Sequence, residues 1–170
     1  LDHGEYKNDF SLDGNFLLLG ARKGHEAVME WKKKKLLTEF NALERISDVK
    51  FLHNQNFYAL AQKRYLYIYD AAGIEVHRLK NHIEPKFLDY LRHHFLLVSL
   101  SRLGTLRYHD ISTGLVSAEL KTKVHEPGAL GQNPFNAIMG VGDSRGRVKM
   151  YSPNTAEPLV SMLCHNAAIT

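Results

Sequence analysis

The sequence predicts an all-β protein assembled from repeated hairpins, and three observations lead to that prediction. Aromatic and aliphatic residues alternate through Tyr65–Tyr69, which places each class on one face of a strand. This strand ends in an aromatic–aspartate pair and a turn with a glycine, Asp70–Gly73, before a second strand begins. The same unit then recurs along the chain. Repeated hairpins of this kind indicate a protein built from several similar small sheets.

The repeat has a period of about 40 residues. Equivalent positions at the end of the first strand of the hairpin are separated by 39, 40 and 42 residues; they are Trp31, Asp70, Asp110 and Ser152. A period near 40 with an aromatic–aspartate pair is typical of WD-type β-propeller blades, in which four antiparallel strands form each blade. The predicted fold class is therefore a WD-repeat β-propeller. Four consecutive blades are predicted here, as an arc of a larger ring of about seven.

Each predicted blade has four strands, called a to d from the centre outward. The blades cover approximately residues 5–41, 45–80, 85–121 and 128–163, followed by the start of a next blade. Turn residues such as Asp13-Gly14-Asn15 separate the strands of the first blade. Its strands are predicted at Tyr6–Leu12, Phe16–Gly20, Ala27–Trp31 and Leu36–Phe40.

The other three blades follow the same alternation of apolar strands and polar turns. The second has strands at Ile46–Leu52, Phe57–Ala61, Tyr65–Tyr69 and Ile74–Leu79. The third has strands at Lys86–Leu91, Phe95–Leu100, Thr105–His109 and Leu115–Leu120. The fourth has strands at Ala129–Gln132, Ala137–Val141, Val148–Tyr151 and Leu159–Leu163, and Cys164–Thr170 is predicted as the loop into a fifth blade.

Composition narrows the class of protein further. The chain has 170 residues, is 44% hydrophobic and carries a net charge of +4, which suits one globular domain. Its single cysteine, Cys164, excludes an internal disulfide framework and suggests a reducing compartment. The apolar runs fall far short of the roughly 20 residues of a membrane helix, and no signal peptide is visible. The chain lacks an initiator Met and begins within the repeat, so we expect it to be a segment of a longer protein.

Basic residues concentrate in the predicted b–c turns. Because antiparallel strands alternate in direction, the b–c turns and the d–a loops share one rim of a propeller. The b–c turns contribute Arg22, Lys23, Lys63, Arg64, Arg102 and Arg145, and the d–a loops add Lys80, His82, Lys121, Lys123 and His125. The opposite rim carries Lys32–Lys35 and Arg92. Such a rim suits nucleic-acid phosphates or an acidic peptide, although solvated turns are often basic without any partner.

Nothing in the sequence supports catalysis, a cofactor or a metal site. None of the ten histidines has a chelating spacing, so they are predicted to be surface residues, with His125 and Asp143 as one candidate structural pair. The glycine-rich segments Gly20–Gly24 and Gly140–Gly146 lack the phosphate-loop pattern and are predicted to be hairpin turns. The tyrosines of the strands are predicted to pack between blades rather than to stack on bases.

Several specific segments resemble one WD-repeat family. They include Gln62–Tyr65 with Tyr69-Asp70, Gln132–Asn136, and Ser152–Asn154 followed by Leu163–His165. The sequence resembles, over nearly its whole length, the small-subunit processome subunits of the U-three small nucleolar RNA-associated protein seven family. Generic WD repeats do not carry these segments.

The resemblance implies a nucleolar, non-enzymatic scaffold of the small-subunit processome that acts in pre-ribosomal RNA processing and small-subunit ribosomal RNA maturation. The implied partners are pre-ribosomal RNA or small nucleolar RNA and other processome proteins, with no membrane and no small-molecule substrate. We expect the six basic b–c turn residues to contact RNA or a partner protein. The alternative is a WD-repeat adaptor between proteins in another pathway, such as ubiquitination or signalling.

Overall fold

The computed structural model of this protein describes residues 3–124 and 126–170. These residues form four four-stranded sheets, and in each sheet the strands follow one another in chain order. Sheet 1 contains β1 (Tyr6–Phe10), β2 (Phe16–Ala21), β3 (His25–Glu30) and β4 (Lys35–Asn41). Sheet 2 contains β5 (Ile46–Phe51), β6 (Phe57–Gln62), β7 (Leu66–Asp70) and β8 (Glu75–Leu79). The predicted all-β architecture of repeated antiparallel sheets is confirmed.

The remaining sheets repeat this plan. Sheet 3 contains β9 (Pro85–Leu91), β10 (Leu96–Ser101), β11 (Thr105–Asp110) and β12 (Leu115–Lys121). Sheet 4 contains β13 (Pro127–Gln132), β14 (Met139–Asp143), β15 (Arg147–Tyr151) and β16 (Val160–Leu163). The helical content of the described residues consists of two short 3-10 turns, Trp31–Lys33 and Arg92–His94. No helix in the described part of the chain is long and apolar enough to cross a membrane.

The chain divides into two compact units, one ending at Lys86 and the other beginning at Phe87. In the first unit the core lies between sheets 1 and 2, where Leu18 and Val28 pack with Val49 and Tyr58. Gly20 allows the close approach of the two sheets, because a Cβ there would clash with Cγ1 of Val49. The second unit has its own core in sheets 3 and 4, and it includes Leu100, Leu106, Tyr108, Met139 and Tyr151.

The aspartate that ends the third strand closes the following turn. In sheet 2, Oδ1 of Asp70 accepts hydrogen bonds from the backbone N–H groups of Ala72 and Ile74, both at 2.9 Å. In sheet 3, Oδ1 of Asp110 accepts the N–H of Ser112 at 2.8 Å, and its hydrogen bonds to Ser112 lower the pKa of the Asp110 carboxyl. A short acceptor side chain satisfies turn N–H groups that have no strand partner. This requirement explains why aspartate recurs at the end of the repeated strand.

Most of the predicted strand boundaries differ from the structure by one or two residues. The strand predicted at Ala137–Val141, for example, lies two residues later, at Met139–Asp143. Trp31 lies outside β3 and opens the 3-10 turn, and Lys35 belongs to β4 rather than to the turn before it. The left-handed conformation of Lys34, with φ of 53°, ends that turn. The first strand of sheet 4 begins at Pro127, two residues before the predicted start, with a register shift between Pro127 and Ala129. These differences leave the order of strands unchanged.

Candidate nucleic-acid interface

Each b–c turn, which joins the second and third strands of its sheet, is tied to the segment after the fourth strand. A backbone N–H of that segment donates to a carbonyl oxygen of the turn at 2.8–3.0 Å in every sheet. The donor and acceptor pairs are Ala42 and Gly24, Glu84 and Arg64, Thr122 and Gly104, and Cys164 and Gly146. Each turn is therefore held from two sides, by its own hairpin and by the chain that leaves the sheet.

The backbone conformation of three of these turns requires glycine. Gly24, Gly104 and Gly146 have φ of 98°, 78° and 77°, a region that L side chains rarely adopt. A Cβ at Gly24 would also lie 2.8 Å from the carbonyl oxygen of Glu44. The turn of sheet 2 carries Arg64 at the equivalent place, without a glycine. The buried glycines position the preceding one or two residues of the turn at the protein surface.

Side chains of the strand ends hold two of the turns in place. In sheet 4, Oδ1 of the buried Asp143 accepts the N–H groups of Arg145 at 2.8 Å and Arg147 at 2.9 Å. In sheet 3, Oγ of the buried Ser101 accepts the N–H of Thr105 at 3.0 Å. A turn fixed in this way presents its side chains from a rigid base. This lowers the entropy that is lost when a ligand binds.

All six predicted site residues are exposed on these turns. They are Arg22, Lys23, Lys63, Arg64, Arg102 and Arg145. Arg22 forms one long ion pair, with Nη1 at 3.6 Å from Oε2 of Glu5. Within residues 3–124 and 126–170, the side chains of Lys63, Arg64, Arg102 and Arg145 form no ion pair. Their charges face solvent, which is the condition for contact with an external anion.

The structure brings these residues together in pairs of turns, one pair in each unit. In the first unit, the segment after β4 is tied to Gly24 through Ala42 and leads to Ile46, which pairs with Gln62 beside the Lys63–Arg64 turn. In the second unit, the segment after Thr122 leads to Pro127, which pairs with Asp143 beside the turn of sheet 4. Both b–c turns of a unit therefore lie at the same end of the strands in its two sheets. Assignment of the six residues as a binding site stays a prediction.

The prediction that the histidines are surface residues is wrong for two of them. His82 is completely buried and His109 is 3% exposed. His82 therefore adds no exposed charge beside the b–c turns, in contrast to the exposed Lys80, Lys121 and Lys123. The predicted pair of His125 with Asp143 lies outside the described residues, because His125 is not among them. His82 lies in a d–a loop that backbone hydrogen bonds hold against the sheet, from His82 to Leu79 and from Glu84 to Arg64. His109 lies on β11, an inner strand of sheet 3.

Sheet 1 contains an ionisable group in the core that sequence patterns did not identify. Glu26 is completely buried on β3, and neither carboxylate oxygen meets hydrogen-bond geometry with another described residue. Burial raises its pKa to about 8; the neighbouring Tyr58 hydroxyl offsets part of this effect and Glu39 adds to it. Burial likewise raises the pKa of Tyr58 far above its usual range. Glu26 is the second residue of β3, two residues after Gly24 of the b–c turn, and its buried carboxyl group lies beside Tyr58 of sheet 2.

The described residues contain no group of three or more His, Cys, Asp or Glu side chains that could hold a metal ion. A cleft of about 230 Å³ in the second unit is lined by side chains of both signs, including Glu119, Lys121, Lys149 and Glu157. The exposed basic turns are therefore the strongest candidate site in the described part of the chain.

Comparison with known proteins identifies close relatives at the level of sequence. No family model matches the chain. It is 44% identical over 162 residues to U3 small nucleolar RNA-associated protein 7 of Saccharomyces cerevisiae, a match that covers 95% of this chain and 29% of that protein. It is 45% identical over 166 residues to WD repeat-containing protein 46 of Caenorhabditis elegans and 39% identical to that of Homo sapiens. Each of these two matches covers 98% of this chain.

These relatives confirm the resemblance predicted from the sequence. The chain spans less than a third of the length of the curated relatives it matches. Among solved structures, it is similar to a chain of a mitotic checkpoint complex, with a TM-score of 0.80 over 95% of this chain and 50% of that chain. The sequence identity there is 20%, so this likeness concerns the fold alone. The WD-repeat β-propeller fold class is thereby confirmed.

Proposed function

We propose that this chain, a homologue of U3 small nucleolar RNA-associated protein 7 and WD repeat-containing protein 46, is part of a non-catalytic scaffold in ribosome biogenesis. Its task is to bind pre-ribosomal RNA or small nucleolar RNA together with other proteins of the small-subunit processome. This binding supports pre-ribosomal RNA processing and the maturation of small-subunit ribosomal RNA. The protein acts in the nucleolus.

The observation that carries this proposal is the repeated exposure of basic side chains on turns that hydrogen bonds hold in place. Within each unit, two turns present Arg or Lys at the same end of the strands. Four of the six side chains form no ion pair with a described residue, so binding of a phosphate breaks no contact that stabilises the free protein. A polyanion gains from several such contacts at once, because each neutralised phosphate releases condensed counterions.

The proposed contacts position RNA without reading its bases. Lysine and arginine side chains at hairpin turns reach phosphate oxygens, and such contacts fix the register of a nucleic acid while leaving sequence specificity to other groups. Arg64 and Arg102 can contact two phosphate oxygens at once through the planar guanidinium, which adds geometric preference. A scaffold needs this kind of contact, since it holds a folded RNA and its protein partners together and makes or breaks no covalent bond.

The test is the salt dependence of RNA binding by the full-length protein. Fluorescence anisotropy with a labelled pre-ribosomal RNA fragment would give the dissociation constant between low and moderate salt. If all six side chains bind single-stranded phosphates, the slope of log affinity against log salt is about −4, at roughly 0.7 per phosphate. A flat dependence would remove direct RNA binding from the proposal.

A charge-reversed variant tests the site itself. Arg64→Glu changes one exposed turn residue, and Lys7→Glu makes the same change of charge on an exposed position of β1. We expect Arg64→Glu to weaken binding and to reduce the slope by about one phosphate equivalent, and Lys7→Glu to leave both close to those of the unchanged protein. Equal effects of the two variants would show that only net charge matters.

The cellular location provides a separate test of the pathway. A fluorescent fusion of the full-length protein should concentrate in the nucleolus and co-purify with small nucleolar RNA. A fusion found outside the nucleolus would instead favour a WD-repeat adaptor of another pathway. In that case a protein would dock on the same basic turns.

A further inference from the structure

The tip of the hairpin between β3 and β4 carries four consecutive lysines, Lys32–Lys35, all of them exposed. The 3-10 turn Trp31–Lys33 begins this tip, and the left-handed residue Lys34 ends it with its N–H donating to the Trp31 carbonyl at 3.2 Å. Successive residues of a 3-10 turn are rotated by about a third of a turn. The lysine side chains therefore spread around the tip and do not line one face of a strand.

Carboxylates neutralise only part of this charge. Nζ of Lys33 lies 2.7 Å from Oε1 of Glu30, and Nζ of Lys32 donates to Oδ1 of Asn15 at 3.0 Å. Asn15 in turn donates to Asp13. Among the described residues, Glu30 is thus the one carboxylate that forms an ion pair with the four ammonium groups. In the described part of the chain, Lys34 and Lys35 form no ion pair.

An aromatic surface lies beside the lysines. Trp31 is 42% exposed and Phe10 is 47% exposed, and their ring centroids lie 6.1 Å apart at 78°. Nε1 of Trp31 donates to the carbonyl oxygen of Gly14 at 2.7 Å. This bond satisfies the single polar group of the indole and anchors the ring, so its exposed part is aromatic surface. Burial of such a surface by a partner is favourable.

We propose that this tip is a second binding site, for unpaired RNA, in which a base stacks on Trp31 and phosphates contact Lys34 and Lys35. Exposed aromatic rings beside a basic groove or cluster are the usual combination for single-stranded nucleic acid, because every base has a face that can stack. A duplex offers no free base face and would gain only the phosphate contacts. The combination of an anchored ring and unpaired ammonium groups therefore selects a single strand.

This site differs from the b–c turns of the proposed function. In sheet 1, the b–c turn precedes β3 and the lysine tip follows it. The six residues of β3, which span about 20 Å, separate the two. The proposed site therefore uses other residues, at the opposite end of β3. If the lysine tip does not bind RNA, the proposal for the b–c turns still stands. If Arg64 does not bind RNA, the proposal for the lysine tip still stands.

The experiment compares a single strand with a duplex in the full-length protein. The probe is a fluorescein-labelled 12-mer of oligouridylate, and the control ligand is the same strand paired with oligoadenylate. We expect Trp31→Leu to weaken binding of the single strand about tenfold and to leave duplex binding unchanged. Trp31→Phe keeps an aromatic ring in the same place and should restore most of the affinity.

Charge reversal tests the phosphate contacts. Lys34→Glu should weaken binding of both ligands and lower the salt slope by about 0.7 for the single strand, whereas Lys7→Glu, on the same sheet, should leave both unchanged. Circular dichroism of each variant checks that the sheet is intact.

Two results would overturn the inference. One is that Trp31→Leu and Lys34→Glu bind the oligouridylate as tightly as Lys7→Glu does. The other is that both variants lose binding to vesicles of phosphatidylcholine and phosphatidylserine but keep full affinity for RNA. The second result would assign the aromatic and basic tip to an anionic lipid surface instead.

Discussion

Replacement of the buried Glu26 by glutamine should stabilise the protein, and the gain should grow with pH. The carboxyl group lies completely buried between sheets 1 and 2, and burial raises its pKa from the ordinary 4.5 to about 8. A group that holds its proton more tightly in the folded state costs stability once the unfolded chain can ionise it. Glutamine has nearly the same shape and cannot ionise, so the variant removes this cost.

The pH window follows from the two pKa values. Below about pH 4.5 the carboxyl is neutral in both states, and the native protein carries no penalty. Between 4.5 and 8 the unfolded state releases its proton while the folded state keeps it, so the free energy of unfolding falls as the pH rises. Above about 8 both states are ionised and the penalty is constant. At 1.36 kcal/mol per pH unit, the cost at pH 7 is about 3 kcal/mol, against about 1 kcal/mol at pH 5.

Urea unfolding of the unchanged protein and of Glu26→Gln at pH 5 and pH 7 measures this difference. We expect the variant to gain about 2 kcal/mol more at pH 7 than at pH 5, and the histidine contributions cancel in the comparison. Glu157→Gln, at an exposed position, is the matched control and should change stability little at either pH. A constant difference between the two proteins across this range would show that Glu26 does not titrate as a buried neutral acid, and the reasoning would fail.

Two further substitutions test the packing and the turn geometry. Gly20→Ala should lower the free energy of unfolding by about 1–3 kcal/mol in thermal or urea unfolding, because the new Cβ would clash with the side chain of Val49. Gly131→Ala, with no atom within 4 Å of its Cβ, should be neutral or slightly stabilising. Equal losses in the two variants would contradict the tight packing of sheets 1 and 2. Asp143→Ala should lower the free energy of unfolding by about 1–3 kcal/mol, because the turn N–H groups of Arg145 and Arg147 lose their acceptor. Asp143→Asn keeps an acceptor oxygen and should lower it less. Hydrogen exchange at these two amides is the readout, and unchanged protection in the alanine variant would refute this role.

The repeated hairpin could be predicted from sequence because its signals are local. The alternation at Tyr65–Tyr69 and the aspartate at its end depend on side-chain direction and on turn hydrogen bonds, both of which act within a few residues. The structure shows the same acceptor role for Asp70 and Asp110. Exposure of the six basic residues also follows from their place in turns, since a polar turn between two strands is solvated.

Two features of the structure could not be predicted from the sequence: one depends on contacts between distant segments and the other on local backbone conformation. Glu26 carries a charge that predicts exposure, but sheet 2 covers its side chain. Lys34 and Phe95 adopt left-handed conformations, with φ of 53° and 54°, that glycine normally signals. Lys34 ends the 3-10 turn Trp31–Lys33, and Phe95 ends the 3-10 turn Arg92–His94. Both turns are rich in basic residues, and such a composition carries no information on backbone geometry.

Ultraviolet crosslinking of RNA to the full-length protein in cells, with the crosslinked peptides identified by mass spectrometry, would show whether the b–c turns contact RNA. We expect crosslinked peptides that contain the b–c turns with Lys63–Arg64, Arg102 and Arg145, and we expect the attached RNA to be pre-ribosomal or small nucleolar. Crosslinks confined to segments outside these turns, or a protein recovered without attached RNA, would contradict this expectation.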